Sequence, residues 1–441
     1  MTELSGWGGF PKHYGVATEP VNETALVEAV TAGAVIARGN GRAYGDSAIG
    51  LRSTVNMHRF NHMLSFDRQS GILVAEAGVL LSDIIPAFLP HGWFPPVTPG
   101  TKFVTLGGMI AADVHGKNHH KDGSFRNFVD WLDVMDTEGV VHRCSRNEKP
   151  ELFEWTIGGM GLTGIILRAG IRLRAVPSAW IRQTAQALPN LDAVITAFEA
   201  AHEATYSVAW IDCLQSGDAL GRAILMLGEH AIPEELSDDA ARYPFEIPKK
   251  MRRSVPFAPP FSPLNGLTVR AFNALYYWNG CRKSGTSFLD YDSYFYPLDA
   301  IHGWNRIYGR RGFMQFQCVL PLETSRKGLH ALLKTTSQEK AGSFLAVLKR
   351  FGPQHSAFSF PMLGYTLALD FPATPKMIAL MCKLDEITLE HGGRFYLAKD
   401  SRMSAQTLHA SDPRTEQFRQ MRTQLGAAEA FQSHQSQRLD L

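Results

Sequence analysis

Cysteine is scarce in this chain. The five present, Cys144, Cys213, Cys281, Cys318 and Cys382, are odd in number, widely spaced and include no CxxC pair. That pattern argues against a disulfide framework or zinc ribbon and predicts buried free thiols. An excess of one charge is also lacking: 44 Lys and Arg stand against 42 Asp and Glu, a net +2 that excludes a general nucleic-acid-binding face. No uninterrupted apolar run reaches the ~18 residues of a spanning helix. The first residues, Met1 to Trp7, lack the basic and apolar regions of a signal peptide. The expectation is a soluble protein made in a reducing compartment. Apolar residues are not lacking: 45% are hydrophobic and 20% charged, which excludes disorder as the dominant state. The 441 residues suffice for about three domain-equivalents and a buried cofactor.

What the chain has is glycine, 39 residues, and they are clustered. From Thr24 to about Leu173, short β-rich runs alternate with Gly-rich turns: strands at 34–37, 72–75, 140–142 and 164–167, and a helix near 80–85. From Val176 the texture shifts to longer amphipathic helices and strands, with a helix expected over 191–204 and strands over 207–212 and 313–319. Helical crossings are too short and few for a doubly wound sheet, so the fold class is α+β. Three segments are expected: 1–176, 177–392, and 393–441 returning to the first.

The first cluster, Gly39, Gly41 and Gly45, follows a strand and frees backbone N–H groups to face an anion. It is not a nicotinamide fingerprint, because Tyr44 stands where the third glycine belongs. A second cluster runs from Pro99-Gly100-Thr101 through Thr105-Leu106-Gly107-Gly108 to His115-Gly116-Lys117-Asn118-His119-His120. A third spans Gly158 to Gly164. Three such clusters spend more flexibility than turns alone require, and point to a large phosphate-bearing cofactor.

Residues 39–47, 99–124 and 158–166 resemble the FAD-binding (PCMH-type) domain of the vanillyl-alcohol-oxidase class. His115-Gly116-Lys117-Asn118-His119-His120, Tyr206 to Trp210, Phe351-Gly352-Pro353 and Tyr396 to Arg402 narrow the resemblance to the decaprenylphosphoryl-β-D-ribose oxidase family, over nearly the whole chain. This implies a two-domain flavoprotein with an antiparallel-sheet substrate domain flanked by helices. The implied reaction is oxidation of a polyprenylphosphoryl ribose at its 2-hydroxyl, the first half of epimerisation to the arabinose form used in cell-wall arabinan. Implied partners are the lipid-linked sugar, an NADH-dependent keto-reductase and a quinone or other electron acceptor, with no nucleic acid.

Carried over by position, the resemblance assigns FAD contacts to Ala37, Arg38, Gly39, Asn40, Gly41, Arg42, Ala43, Tyr44, Gly45, Asp46 and Ser47. It adds Gly100, Thr105, Leu106, Gly107, Gly108, Ala112, Asp113, Val114, His115, Ile165 and Tyr396. Arg42 stands where many relatives in the wider class attach flavin through histidine, so the FAD is expected to be non-covalent. Trp210, Gln317 and Lys349 are the implied substrate contacts, and Lys399 the implied catalytic residue, as base or as charge stabiliser; Lys117 faces either substrate phosphate or solvent. Phe295, Thr366 and Ala368 replace the Tyr, Asn and Cys of mycobacterial members. From the residues alone Lys399 reads as a surface lysine, and Trp210 and Gln317 as core or sheet residues. His115, His119 and His120 admit a metal reading that Gly116 and the absence of a nearby Cys or paired carboxylate disfavour. Lys249, Lys250, Arg252 and Arg253 beside Phe257 and Phe261 form either a solvated loop or a lid touching anionic membrane. The rival functions are a sister oxidase of soluble sugars, alditols or aldonolactones using oxygen, and a His-rich metal- or carbohydrate-binding module.

Overall fold

A strand pair, Thr2–Ser5 and Lys12–Thr18, opens the computed structural model, which describes residues 1–250, 253–259 and 266–441. Asn22 then caps the helix Glu23–Thr31 by accepting from the Ala25 amide, and Leu26 and Val30, one turn apart, form its buried side. The helix delivers the chain to Val35–Arg38, which pairs in parallel with Ser53–Asn56 to complete a four-stranded sheet. This strand starts one residue later than expected because Ala34 holds a left-handed φ of 51°. An antiparallel sheet of five strands follows: Met63–Asp67, Ile72–Glu76, Ile165–Arg172, Val129–Met135 and Val141–Ser145, in that spatial order. Leu26, Val35, Val55, Met135 and Leu167 make a core that these two sheets share, and Phe431 from near the C-terminus packs into it.

The larger sheet has eight strands in the order 285–290, 180–188, 223–230, 206–211, 346–351, 364–372, 313–321 and 394–395. Its interior strands are buried on both faces, so the period of two sorts side chains between two interiors. Met314, Phe316, Cys318 and Leu320 join Leu367, Leu369, Leu348 and Ile211 in the main core, against the helices Leu191–Ala200, Leu322–Gln338 and Pro375–Glu390. The intervening residues, Gln315 and Gln317, Thr366 and Ala368, Val347 and Lys349, Val208 and Trp210, face the other way and line one cavity. Register aligns Gln317 with Ala368, Lys349 with Thr366 and Trp210 with Val347. The helix expected over 191–204 ends at Ala200, because Ala201 leaves helical geometry as the chain turns toward Tyr206.

The last segment ties the two parts together. Gln432 and His434 donate their amides to Val35 and Ile49 carbonyls. The Arg438 guanidinium donates to Asp46 at 2.7 Å and to Asp400 at 2.9 Å, and both carboxylates are buried. Cys144, Cys213 and Cys318 are buried as expected, but Cys281 and Cys382 are exposed, each on a helix face turned outward.

Against its own burial, Asp400 is held below the ordinary carboxylate range by Arg438 and the Arg402 and Met403 amides. Its stabilisation is therefore present above that range and lost as pH falls through the depressed value. Arg438→Ala leaves two buried carboxylates without their cation and is expected to cost about 3 kcal/mol at neutral pH. Urea unfolding of variant and wild type measures this, and the gap should narrow as acid protonates the carboxylates.

Candidate active site

One cavity of ≈ 730 Å³ runs between the glycine loops and the larger sheet, within the ~300–1,000 Å³ usual for ligand pockets. At one end lies the loop after strand Val35–Arg38. Its consecutive amides, those of Gly39, Asn40, Gly41, Arg42 and Ala43, have no hydrogen-bond acceptor among the described residues. Gly41 holds a φ of 60°, open to glycine without strain. At Gly39 a Cβ would sit 2.1 Å from Thr105 Oγ1, so only glycine lets the loop approach the helix Leu106–Ala111. Thr105 is that helix's cap, accepting from Gly108 N at 3.2 Å. The adjoining wall is made of small residues: Ala37, Gly107, Gly108, Ala112, Gly161 and Gly164. Unpaired amides beside a wall without bulk fit a pyrophosphate carried on a flat ring system, the donor set that FAD requires.

The other end is built on lysines. Lys117 donates to the Tyr294 carbonyl and lies 3.9 Å over that ring, and burial with the nearby Lys349 charge pushes it down to about 7. Lys349, on strand 346–351, is pushed down to about 8 by burial. Lys399 sits 3.7 Å over the Tyr44 ring, and burial lowers it far below the lysine range against the opposing pull of Asp370. Burial raises Asp370 in turn, and Gln315 donates to it. The turn that carries Lys399 is fixed by its amide to Tyr396 O and by Tyr44 N to Ala398 O. Between the two ends, Gln317 Nε2 donates to His115 Nε2 at 3.1 Å. His115 Nδ1 therefore carries the ring proton, and it has no partner among the described residues. Burial, reinforced by Lys349, keeps that imidazole neutral. Beyond the lysines the cavity continues between aromatic side chains: Trp210 lies 4.6 Å from Tyr276, and Phe272 lies 4.8 Å from Phe344.

Most of the expected residues meet in this cavity: Ala37, Gly39 to Tyr44, Ser47, Gly100, Thr105, Gly107, Gly108, Ala112, Val114, His115, Tyr396, and all of Lys117, Trp210, Gln317, Lys349 and Lys399. Six lie behind its wall. Arg38 turns away to donate to the Ser5 and Ala48 carbonyls. Gly45 packs on Asp400 and Ser401, and Asp46 is taken by Arg438. Leu106 and Ile165 point into cores, leaving Ile166 on the cavity. Asp113 accepts from Ser124 and the Arg126 amide and braces its own turn. In the third cluster, Gly158 and Gly159 serve packing against Ser359 and Trp155, and Met160, Gly161 and Gly164 reach the cavity. His119 and His120 spend their ring nitrogens on Gln354, the Gly352 amide, Ala204 O and Ser207. Among the described residues no group of three or more His, Cys, Asp or Glu is placed to hold a metal ion. Lys250 pairs with Asp290, Lys249, Arg253 and Phe257 are exposed, and Arg252 and Phe261 lie outside the described residues. Sequence reading missed Asp370 and, apart from Trp210, the aromatic walls. Asp370 was accessible by period two, since it shares a face with Thr366 and Ala368.

Residues 17–145 match the family described as FAD binding domain. Across 99% of its length the chain is 36% identical to the decaprenylphosphoryl-beta-D-ribose oxidase of Mycolicibacterium smegmatis, covering 97% of that protein. Partial matches are 32% identity to cytokinin dehydrogenase 5 of Arabidopsis thaliana over 34% of this chain and 29% of that one. L-gulonolactone oxidase of Mus musculus is 28% identical over 35% of this chain and 36% of its own. Overpacking at the Gly39–Thr105 contact costs about 1–3 kcal/mol. Gly39→Ala should therefore hold FAD roughly tenfold less tightly, read as flavin absorbance retained through gel filtration. The partial matches reach only about a third of the chain, whereas the first match spans nearly all of it, glycine loops, lysines and sheet face together: the chain is an FAD-dependent oxidoreductase of two-domain α+β fold and belongs to the decaprenylphosphoryl-β-D-ribose oxidase family.

Proposed function

We propose that this protein oxidises the 2-hydroxyl of a polyprenylphosphoryl-β-D-ribose to the 2-keto sugar, the first half of epimerisation to the arabinose form. The observation that carries this reading is one continuous cavity joining an amide cradle, three buried lysines and an aromatic corridor. Each part matches one part of such a substrate with its cofactor: pyrophosphate, sugar phosphate and prenyl chain.

FAD, held by residues 39–44 and the wall of small residues, supplies the acceptor for the hydride from C2. The hydroxyl proton needs a base, and Lys399 Nζ takes it, since burial leaves part of that amine neutral near neutral pH. Asp370 opposes this by favouring the ammonium, so the pair sets how readily Lys399 receives a proton. Lys117 and Lys349 hold the phosphodiester, whose negative charge restores the protons that burial removes. The His115 Nδ1–H donates into the cavity, its orientation set by Gln317. Trp210, Tyr276, Phe272 and Phe344 exclude water along the prenyl chain.

We further propose that the flavin is non-covalent, because the loop 39–47 contains neither His nor Cys. A quinone or another acceptor would reoxidise it, and a separate NADH-dependent reductase would return the keto sugar as the arabinose epimer. None of the described helices is long and apolar enough to cross a membrane, and a peripheral site on the inner membrane is the proposed location.

Anaerobic titration with a synthetic polyprenylphosphoryl ribose should bleach the flavin band, while free sugars, alditols and aldonolactones leave it unchanged. Bleaching by those soluble compounds instead would make the protein a sister oxidase. Lys399→Ala should keep its FAD and lose this reduction by about two to four orders of magnitude; wild-type rates would remove Lys399 from the mechanism. Acid precipitation should release the flavin, and colour in the pellet would overturn the non-covalent assignment.

A further inference from the structure

The helix Gly266–Arg282 is apolar on the side that faces solvent. With 100° per residue, Ala271, Ala274, Leu275 and Trp278 fall on one face, and all four are exposed, Leu275 by 63% and Trp278 by 54%. Its inner face is narrow, burying only Val269 and Asn273. A water-exposed helix ordinarily presents polar residues outward, and a contiguous apolar face marks a docking surface. The charges on this helix are all of one sign. Arg270 and Arg282 border the apolar face, and the Arg282 guanidinium lies 4.7 Å from the Trp278 ring centre.

The surrounding sequence carries the same bias. Between Glu246 and Asp290 there is no Asp or Glu, while Lys249, Lys250, Arg252, Arg253, Arg270, Arg282 and Lys283 give +7, against +2 for the whole chain. Lys249, Arg253 and Lys283 are exposed alongside Arg270 and Arg282. On its third side the helix turns Phe272 and Tyr276 into the cavity, where they form the aromatic corridor. One helix therefore joins an outward apolar face, a cationic border and the wall of the substrate tunnel.

We propose that this helix lies in the interfacial plane of an anionic phospholipid leaflet. Leu275 and Trp278 enter the acyl boundary, the arginines pair with lipid phosphates, and the Phe272–Tyr276 side opens the cavity to the leaflet. The proposal rests on the reading of a prenyl-linked substrate, for which it supplies the route of entry: the chain passes from lipid to corridor without crossing water.

The test uses the full-length FAD-loaded protein with vesicles of phosphatidylcholine plus phosphatidylglycerol, and with phosphatidylcholine alone. The protein should sediment with the anionic vesicles, remain largely free with the neutral ones, and be released by salt. Leu275→Glu with Trp278→Glu, and separately Arg270→Glu with Arg282→Glu, should each lower binding about tenfold or more. Trp278→Phe should retain it. All variants should keep their flavin and turn over a short-prenyl, water-soluble phosphoryl ribose at the wild-type rate, because none of these side chains lines the cavity. Wild-type protein that stays in the supernatant, or charge-reversal variants that sediment like wild type, would overturn the proposal. So would binding to a polyribonucleotide as tight as binding to the anionic vesicles. If a variant loses its flavin, the lipid and salt dependence of the wild type decides. Failure of the proposed reaction reads differently: no flavin reduction by the soluble substrate, with sedimentation intact.

Discussion

Burying three lysine side chains in one cavity is the interaction on which the rest of this structure depends. A lone ammonium taken from water loses several kcal/mol of solvation, and a neighbouring like charge adds to the loss. Lys117, Lys349 and Lys399 bear that cost together, with Asp370 as the acidic side chain that draws Lys399 toward its charged form. The cost is answered in two ways. Aromatic faces lie over two of the ammoniums, Tyr294 for Lys117 and Tyr44 for Lys399, and the proton affinities of all three fall. The result is a chamber lined by no Asp or Glu among the described residues, with Asp370 set behind Lys399, and its amines can accept protons, which is what the proposed anionic alcohol substrate needs.

The fold delivers this chamber by a simple repetition. Strands buried on both sides alternate between a helix-packed core and the cavity, so every second residue of four neighbouring strands is available for chemistry. The cofactor loop and the lysine turn are then locked to each other. Tyr44 bonds the Ala398 carbonyl and underlies Lys399, while Arg438 clamps Asp46 of the first to Asp400 of the second. Residues hundreds of positions apart in sequence thus hold the cradle and Lys399 in fixed relation, as the proposed removal of hydride and proton from adjacent atoms requires.

Much of this was legible in the sequence, and the reasons it was legible are uneven. Gly39 and Gly41 announce themselves because a Cβ at the first would strike Thr105 and the second holds a left-handed φ. Lys399 does not: its flanking Asp400, Ser401 and Arg402 read as a solvated turn, and only the resemblance placed it in a site. In the fold those same polar neighbours are consumed internally, Asp400 by Arg438 and Arg402 by Asp385. Local sequence carries no sign of such distant pairing. Arg38 and Asp46 show the converse, since the resemblance assigned both to FAD by position where the structure uses both for bracing. The outward face of helix Gly266–Arg282 was legible only in part: helical spacing places Leu275 and Trp278 together, but the spacing alone does not say that this face is turned to solvent.

The account turns on amines that shed protons when the cavity is free of anion and regain them when a phosphodiester enters. Lys117 near 7 and Lys349 near 8 are lowered by burial, so at about pH 8 part of their charge is absent, and an anion that favours the charged form must raise both values. Calorimetric titration with a non-oxidisable 2-deoxy analogue of the polyprenylphosphoryl ribose, in buffers of different ionisation enthalpy, counts the protons taken up on binding. Net uptake is expected at about pH 8 and should fade toward about pH 6, where the lysines are already charged. Binding without proton uptake at the higher pH would contradict it.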